Sequence, residues 1–235
     1  MPPEVIKAFG YLKKSAAMAN KKLGKLTARK CQIICRVCDE IIAGKLEGNF
    51  PLAVWQTGSG TQSNMNVNEV VAHRGNEIAK AQLLHPNDDV NKSQSSNDTF
   101  PTAMHIAGAM EIKELLLPAI DGLIATFKKL EKANKGIVTT GRTHLQDAVP
   151  VAFSQEISGW RNMLEKSKED ILAAQKGLCE LALGGTAVGT GLNAPKDFDK
   201  IVAAYCKENT GLPFVTAKNK FHALTSLDDM VFAHG

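Results

Sequence analysis

Residues 85–99, His85-Pro86-Asn87-Asp88-Asp89-Val90-Asn91-Lys92-Ser93-Gln94-Ser95-Ser96-Asn97-Asp98-Thr99, run directly into Phe100-Pro101-Thr102 and a long segment with helical periodicity. Most connections in compact domains are about 4 to 6 residues long and turn at Gly or Pro. This one is longer and consists mainly of amides, hydroxyls and carboxylates. A solvated linker that ends in an N-cap is the ordinary explanation. Two further polar stretches of the same character occur in the chain, and together the three favour a functional explanation.

The second polar stretch is Gln56-Thr57-Gly58-Ser59-Gly60-Thr61-Gln62-Ser63-Asn64-Met65-Asn66-Val67-Asn68-Glu69. Its glycines would let a ligand approach the backbone closely, and Ser59, Thr61 and Asn64 offer neutral hydrogen-bond donors and acceptors. The stretch lacks the Lys-Ser/Thr pair of a P-loop and follows no βαβ pattern. These two features exclude a nucleotide site of that kind.

The third polar stretch is Thr139-Thr140-Gly141-Arg142-Thr143-His144-Leu145-Gln146-Asp147-Ala148, closed by Pro150. Within it, His144 lies between a Gly-Arg-Thr turn and a Gln-Asp pair. Histidine is the residue type best suited to exchange protons near neutral pH, so His144 is the candidate for moving protons to and from water. The remaining histidines outside the first stretch are interpreted as surface or core residues: His73, His105, His222 and His234.

The composition is that of a soluble globular protein. The chain has 235 residues, of which 44% are hydrophobic and 22% charged, enough for one or two domains with a sizeable core. The net charge of +4 is spread without a basic tract, so nucleic acid is not indicated as a partner. No stretch approaches the roughly 18 to 20 apolar residues of a membrane span, and Met1-Pro2-Pro3-Glu4 does not begin a signal peptide. We expect an intracellular protein that does not enter membranes.

Helical periodicity along most of the chain predicts an all-α fold. Shorter helices are predicted over residues 5–23, 27–43, 66–84 and 197–208, with a loop at 184–191. Past Pro101, two apolar seams with the same spacing predict long helices packed in a bundle. The first seam comprises Ala103, Ile106, Met110, Leu117, Ile120, Ile124 and Phe127, and the second comprises Ile157, Trp160, Leu164, Ile171, Ala174, Leu178 and Leu181.

The predicted helices fall into two domains. Residues 1–98 form a mostly helical N-terminal domain, and residues 99–235 form part of a long-helix bundle. Pro118 is expected to bend the first bundle helix, because proline removes a helical hydrogen bond and clashes with the preceding turn. Residues 52–55 are interpreted as a strand fragment or a buried run.

Three of the five cysteines, Cys31, Cys35 and Cys38, have a spacing that also occurs in iron–sulfur enzymes. In this chain they lie at i, i+4 and i+7 of a predicted helix and therefore share one face. Cluster ligands normally lie on a loop that wraps around the metal, whereas buried free cysteine behaves as a small apolar residue. The helical phase favours core packing. An odd number of cysteines also argues against a disulfide framework.

The first polar stretch ends at the start of a helix, with Asp98 or Thr99 predicted as N-cap and Pro101 near the first helical position. The free N–H groups at a helix start carry partial positive charge and bind carboxylates or phosphates. Two or three such loops together suit a dicarboxylate. The donors would come from Ser59, Thr61, Ser96, Asn97 and Thr143.

The three polar stretches closely resemble those of class II fumarate hydratases, of the fumarase/aspartase superfamily. The similarity extends over essentially the whole chain and includes residues 184–193 and 212–217. Aspartate ammonia-lyases share most of these motifs, but they typically carry Ala, Thr and Gln at the positions of Ser59, Ser96 and His144. The resemblance therefore favours the hydratases over the ammonia-lyases.

This resemblance implies reversible anti addition of water to fumarate, giving L-malate, without a metal or organic cofactor. It implies a homotetramer, located in mitochondria or cytoplasm, in which each active site draws its loops from three subunits. His144 resembles the histidine that binds and activates the water, and His85, Asn87 and Asp88 resemble a second, non-catalytic dicarboxylate site. The residues that resemble substrate-carboxylate ligands are Ser59, Thr61, Ser95, Ser96, Asn97 and Thr143.

The chain departs from the family pattern at both ends. A third signature loop, which carries the serine taken as the C–H base, has no counterpart, and neither have the remaining bundle helices. We therefore expect a chain truncated at the C-terminus and at the N-terminus. Two alternatives to an active hydratase follow: an inactive fragment that acts as a subunit or interaction partner, and an aspartate ammonia-lyase.

Overall fold

The computed structural model describes residues 1–56 and 60–235 and is built mainly of helices, which confirms the predicted all-α fold. In chain order the elements are α1 (Pro3–Lys22), α2 (Ala28–Ile42), α3 (Thr61–Ala79), α4 (Ser96–Glu111), α5 (Leu117–Ala133), β1 (Val138–Thr143), β2 (Gln146–Ala152), α6 (Phe153–Leu178), β3 (Glu180–Leu181), α7 (Phe198–Thr210), β4 (Val215–Thr216), α8 (Lys220–Thr225) and α9 (Asp228–His234). A 3₁₀ turn (Glu47–Asn49) and two π-helical turns (Pro86–Val90 and Ile112–Leu116) complete them.

The chain divides into two compact units. The first comprises Met1–Met110 and Lys176–Gly235, and the second comprises Glu111–Gln175. The predicted domain division after residue 98 stays a prediction.

The core of the first unit is organised around α1, which packs against α2 and α7. Pro3 starts α1 at a position where a missing N–H costs no helical hydrogen bond. Phe9, Leu12 and Ala16 recur at helical spacing and are fully buried on one face. On α2, the Thr27 side chain caps the helix by accepting a hydrogen bond from the Lys30 N–H. The periodicity seen in the sequence thus corresponds to real core faces.

Helix α2 carries the three cysteines that were predicted to share a buried face. Cys31 and Cys38 are buried on α2, whereas Cys35 is half-buried. Core packing is therefore confirmed for two of the three thiols. The interpretation of residues 52–55 as a strand or buried run is wrong, because Val54 and Trp55 are exposed and Trp55 adopts a positive φ.

Two helices begin earlier than predicted. Helix α3 begins at Thr61, because Gly60 adopts the left-handed conformation immediately before it. It ends at Ala79, because the Asn76 side chain accepts hydrogen bonds from the N–H groups of Leu83 and Leu84 and so replaces the next helical turn. Helix α4 begins at Ser96 and contains Pro101 in its interior, so the prediction of Asp98 or Thr99 as N-cap is wrong.

The second unit contains a hairpin that the sequence interpretation missed. The third polar stretch was predicted as a loop, but β1 and β2 pair antiparallel, with Val138 opposite Ala152 and Thr143 opposite Gln146. The β-branched Thr and Val residues of the two strands favour such a ribbon. The pairing shifts at Gly141, where a Cβ would lie 2.7 Å from the Val149 carbonyl oxygen. A π-helical turn immediately precedes Pro118, at the place where a proline weakens helical hydrogen bonding.

A glycine substitution tests the close packing of α1 on α2. A Cβ at Gly10 would lie 2.8 Å from Ile42 Cγ1 and 3.3 Å from the Cys38 carbonyl oxygen. We expect Gly10→Ala to lower the free energy of unfolding by about 1–2 kcal/mol, because overpacking outweighs the gain in helix propensity. The matched control is Gly122→Ala on α5, where a Cβ meets no atom within 4 Å and should stabilise by about 0.5–1 kcal/mol. Urea unfolding measures both, and equal effects would contradict the packing.

Candidate active site

The start of α4 is fixed by a capping box. Ser95 is the N-cap, and its hydroxyl accepts a hydrogen bond from the Asn97 N–H at 3.3 Å. In return, the Asp98 carboxylate accepts from the Ser95 N–H at 2.9 Å. The first turn of α4 therefore carries Ser96 and Asn97 in a fixed orientation, with Asn97 exposed and Ser96 half-buried.

The Asp98 carboxylate also binds a distant loop. Its Oδ2 accepts hydrogen bonds from the N–H groups of Gly184 and Thr186, at 2.9 and 2.8 Å. Asp98 is fully buried. Burial raises the pKa of its carboxyl group, while the three N–H donors and the nearby Lys13 ammonium lower it. One carboxylate thus ties the predicted ligand loop to the loop at 184–191.

A buried lysine lies behind this turn. The Lys13 side chain, from α1, is fully buried, and its Nζ donates to Asn64 Oδ1 at 2.7 Å and to Asn91 Oδ1 and Gln94 Oε1 at 3.0 Å. An ammonium group has three N–H donors, and here three side-chain oxygens accept them. Burial lowers the pKa of Lys13 to about 7, against the opposing effect of the Asp98 carboxylate and the Cys38 thiol.

The lysine determines how Asn64 faces Ser96. Because an ammonium only donates, the Asn64 atom that faces Lys13 must be the carbonyl oxygen. The Asn64 amide nitrogen then donates to Ser96 Oγ at 2.9 Å. Since Ser96 Oγ accepts this hydrogen bond, the Ser96 hydroxyl hydrogen is available to point elsewhere. Lys13 and Asn64 thus form a buried chain of hydrogen bonds that ends at a predicted carboxylate ligand.

The other predicted carboxylate ligands of the first two polar stretches lie in different surroundings. The Asn97 side chain donates to the Ala187 carbonyl oxygen at 2.7 Å, which holds it against the 184–191 loop. Thr61 is the first residue of α3, directly after Gly60, and is exposed. Ser59 lies outside the described residues. The first unit therefore brings Ser95, Ser96 and Asn97 together at one helix start, and Asn64 links this turn to α3.

Thr143 and His144 belong to the second unit. Thr143 ends β1, and His144 and Leu145 form the two-residue turn that leads into β2. Both turn residues have positive φ, 48° for His144 and 63° for Leu145, a conformation usually taken by Asn-Gly. Such a backbone costs about 1 kcal/mol or more per residue, and strain of this kind clusters at functional sites. Leu145 is 91% exposed, so burial does not explain the strain.

The predicted second dicarboxylate site forms a compact exposed turn. His85 caps the π-helical turn Pro86–Val90, and its Nδ1 lies 3.2 Å from both the Asp88 N–H nitrogen and Asp88 Oδ2. Asn87 lies beside them and is also exposed. The buried Asp89 supports the turn by accepting from the His85 N–H and from Lys30 Nζ. His85, Asn87 and Asp88 therefore occupy one surface.

Four residues of the supporting network were not predicted as site residues: Lys13, Asn64, Asn91 and Gln94. The sequence carries one signal for the first of them. Lys13 follows Phe9 by four residues and precedes Ala16 by three, so it lies on the buried face of α1. A long lysine side chain at such a position usually extends to solvent, so the signal alone indicates little.

Comparisons with known proteins place the chain in a family. A family model described as Lyase matches residues 1–235. The chain belongs to the lyase family. The chain is 56% identical to the class II fumarate hydratases of Bacillus subtilis and Helicobacter pylori, over all of its own length and 52% of theirs. The resemblance inferred from the motifs is confirmed, and the chain spans about half the length of the curated relatives it matches.

Solved structures agree with the fold of the chain. The class II fumarase of Schistosoma mansoni superposes with a TM-score of 0.97 at 39% identity, covering 99% of this chain and 53% of the other. A fumarate lyase:delta crystallin from Brucella melitensis, bound to cobalt, gives a TM-score of 0.94 at 35% identity, covering 98% and 51%. The predicted fumarase/aspartase-like fold, present in part, is confirmed.

Two negative findings hold for residues 1–56 and 60–235 of the chain. None of the helices there has the length and hydrophobicity needed to cross a membrane. No group of three or more His, Cys, Asp or Glu side chains is arranged there to hold a metal ion.

Replacing Asp98 tests the tie between α4 and the 184–191 loop. In Asp98→Asn one carboxylate oxygen becomes an NH₂ group, so at least one backbone N–H would face a donor. We expect the free energy of unfolding to fall by about 2–3 kcal/mol. The matched control, Asp197→Asn, removes an exposed ion pair to Lys200 and should leave the value unchanged within error. Equal losses in urea unfolding would contradict the role of Asp98.

The pH dependence of stability tests the burial of Lys13. Its pKa is lowered from 10.5 to about 7, so between these values the unfolded chain binds more protons than the folded protein. The free energy of unfolding should therefore rise with pH in this window, by up to roughly 1 kcal/mol per pH unit from this group. Lys13→Met should remove that slope, and the exposed control Lys25→Met should retain it. Urea unfolding across this pH range measures the slope, and an unchanged slope in Lys13→Met would refute the assignment.

Proposed function

We propose that this chain forms part of a fumarate hydratase, which adds water reversibly to fumarate to give L-malate. The observation that carries the proposal is the chain of hydrogen bonds from Lys13 through Asn64 to Ser96, at the start of α4. It uses buried polar groups to hold a hydroxyl whose oxygen accepts from Asn64, so that the hydroxyl hydrogen is available to a ligand. A linker or an ordinary N-cap needs no such support.

The start of α4 suits one carboxylate of a small dicarboxylate. The Ser96 hydroxyl and the second amide hydrogen of Asn97 are donors, and the N–H groups of the first helical turn add partial positive charge. Removing a C–H proton beside a carboxylate builds up further negative charge on that carboxylate. Donors fixed in advance stabilise this charge more effectively than donors that must reorganise. We assign Ser95, Ser96 and Asn97 to this task, together with Ser59, Thr61 and Thr143 from the other polar stretches.

We assign His144 to the water molecule that adds to fumarate. The strained turn supports this role, because a left-handed His-Leu pair is retained against a cost that Asn-Gly would avoid. The turn projects the imidazole from the end of a two-stranded ribbon. A histidine held in this way can accept a proton from water and return it in the reverse reaction. His85, Asn87 and Asp88 are assigned to a second, non-catalytic dicarboxylate site.

The proposed enzyme is a homotetramer in which the loops come from different subunits. Several large apolar side chains of the second unit are exposed, which favours their burial by other copies or by further chain. They include Leu115, Leu123, Leu130, Trp160, Met163 and Leu172. We propose an enzyme of the mitochondrion or cytoplasm that uses no metal or organic cofactor and binds neither nucleic acid nor membranes. The serine base of the family would be supplied by sequence outside this chain.

Complementation of a disabled relative tests the function. The Bacillus subtilis class II fumarate hydratase would carry Ala and Asn at the positions that match Ser96 and His144, and would be co-expressed with this chain. We expect mixed tetramers to regain hydration, measured as loss of the ultraviolet absorbance of fumarate. Ser96→Ala in this chain should lower the regained rate by roughly 100-fold or more, and His144→Asn by a similar factor.

The controls are Ser158→Ala and His73→Asn, which change the same residue types away from the site and should support full recovery. Co-assembly without any regained hydration would contradict the proposal and indicate an inactive subunit. Formation of fumarate from aspartate, without malate formation, would indicate an ammonia-lyase instead.

A further inference from the structure

A cleft on the first unit lies apart from the α4 start and is lined by α1, α2 and α7. Its volume is about 670 Å³, which is within the range of small-molecule pockets. Lys14, Lys21 and Lys22 line one side from α1, and Cys31 and Cys35 line the α2 side. Met18, Ala28, Gln32 and Tyr205 complete the lining. The cleft thus combines two thiols with three lysines, and none of these residues belongs to the proposed hydratase site.

The two thiols are in direct contact. Cys31 and Cys35 are one helical turn apart, and their Sγ atoms lie 3.9 Å apart. The hydrogen bond from the Cys35 S–H lowers the pKa of Cys31 to about 7, and the charge of Lys21 acts in the same direction, against the effect of burial. The same contact raises the pKa of Cys35. Either sulfur could donate in this contact, and the positive charge of Lys21 favours the thiolate on Cys31, with the Cys35 S–H as donor.

The lysines make the mouth of the cleft positive. Lys14 is held by an ion pair with Asp39 at 2.8 Å, whereas Lys21 and Lys22 are exposed at the end of α1. A thiolate beside such cations reacts preferentially with reagents that carry negative charge, because the local field raises their concentration. A small anionic ligand with a reactive group at its centre fits this arrangement.

The other three thiols of the chain serve as internal controls. Cys38, Cys179 and Cys206 are buried, and burial raises the pKa of each, to about 12, 11 and 12. None of them lines the cleft. A thiol that lines no cleft and has a raised pKa is inert towards disulfides. Cys31 is also only 5% exposed, but it lines the cleft and its pKa is lowered. Reactivity should therefore be confined to the pair on α2.

We propose that Cys31 and Cys35 form a thiol–disulfide exchange site for a small disulfide bearing carboxylates, of the chemical class of glutathione disulfide. The Cys31 thiolate attacks one sulfur of the disulfide, and a bond forms between Cys31 Sγ and that sulfur as the original S–S bond breaks. Cys31 is oxidised, and the other half of the reagent leaves as a thiolate and takes a proton from water. Cys35 positions the attacking sulfur by hydrogen bonding to it, and the carboxylates of the reagent bind near Lys21 and Lys22.

Mass spectrometry of the full chain tests the site directly. After incubation with glutathione disulfide, we expect one glutathionyl group, located on Cys31. Cys31→Ser should abolish this adduct, whereas the control Cys179→Ser should retain it. An adduct of equal yield in Cys31→Ser, or on Cys179 or Cys206, would overturn the proposal.

Charge recognition is tested by the rates at which the chain reacts with two disulfide probes. One is the dianionic dithiobis(nitrobenzoate), and the other is the neutral dithiodipyridine. The paired substitution Lys21→Gln and Lys22→Gln changes only exposed residues, so the protein should fold as before. We expect it to slow the anionic probe by roughly tenfold while leaving the neutral probe unchanged, and added salt should act in the same direction. An equal effect on both probes would overturn the role of the lysines.

The role of Cys35 is tested by the pH profile of the neutral probe. Cys35→Ala removes the donor, so the midpoint of the rate against pH should move upward. Cys35→Ser keeps an O–H donor, so its midpoint should lie between those of the parent and Cys35→Ala. Coincident profiles for Cys35→Ala and the parent would overturn the positioning role of Cys35.

Discussion

The buried ammonium group of Lys13 is the interaction on which the candidate site depends. Its three acceptors, Asn64, Asn91 and Gln94, come from the start of α3 and from the polar stretch before α4. Removing an ammonium from water is costly unless every N–H finds an acceptor, and here each one does. Lys13 on α1 therefore fixes the start of α3 and the polar stretch before α4, which lie 51 to 81 residues further along the chain.

Asp98 performs the complementary task with a buried negative charge. It accepts hydrogen bonds from the N–H groups of Ser95, Gly184 and Thr186, and so joins the α4 turn to a loop 86 to 88 residues away. The opposite charges of Lys13 and Asp98 act on each other, and each raises the tendency of the other to stay charged. The result is a helix start whose polar groups are oriented before any ligand arrives, which favours catalysis by preorganised donors.

Periodicity predicted the helices well, since Ile34 and Cys38 repeat at the spacing of a buried helix face and the structure buries both. The N-cap of α4 was predicted wrongly although Ser95 and Asp98 form a capping box, which is a local pattern. The hydrogen bonds of Asp98 with Gly184 and Thr186 could not be read from local sequence, because these residues lie far along the chain. The turn at His144 and Leu145 was missed, because it lacks the Asn-Gly signal of a two-residue turn. Lys13 was missed because a lysine at this position of a helix usually extends its side chain to solvent. Only its contacts with Asn64, Asn91 and Gln94 identify it as a buried group.

The central claim is that the first turn of α4 is prepared to bind a dicarboxylate. Its most direct test is an NMR titration of the ¹⁵N-labelled chain with fumarate and L-malate, with acetate as the monocarboxylate control. We expect the amide signals of Ser95, Ser96 and Asn97 to shift with fumarate or L-malate and to shift far less with acetate. Signals at these three residues that respond equally to all three ligands, or to none, would contradict it.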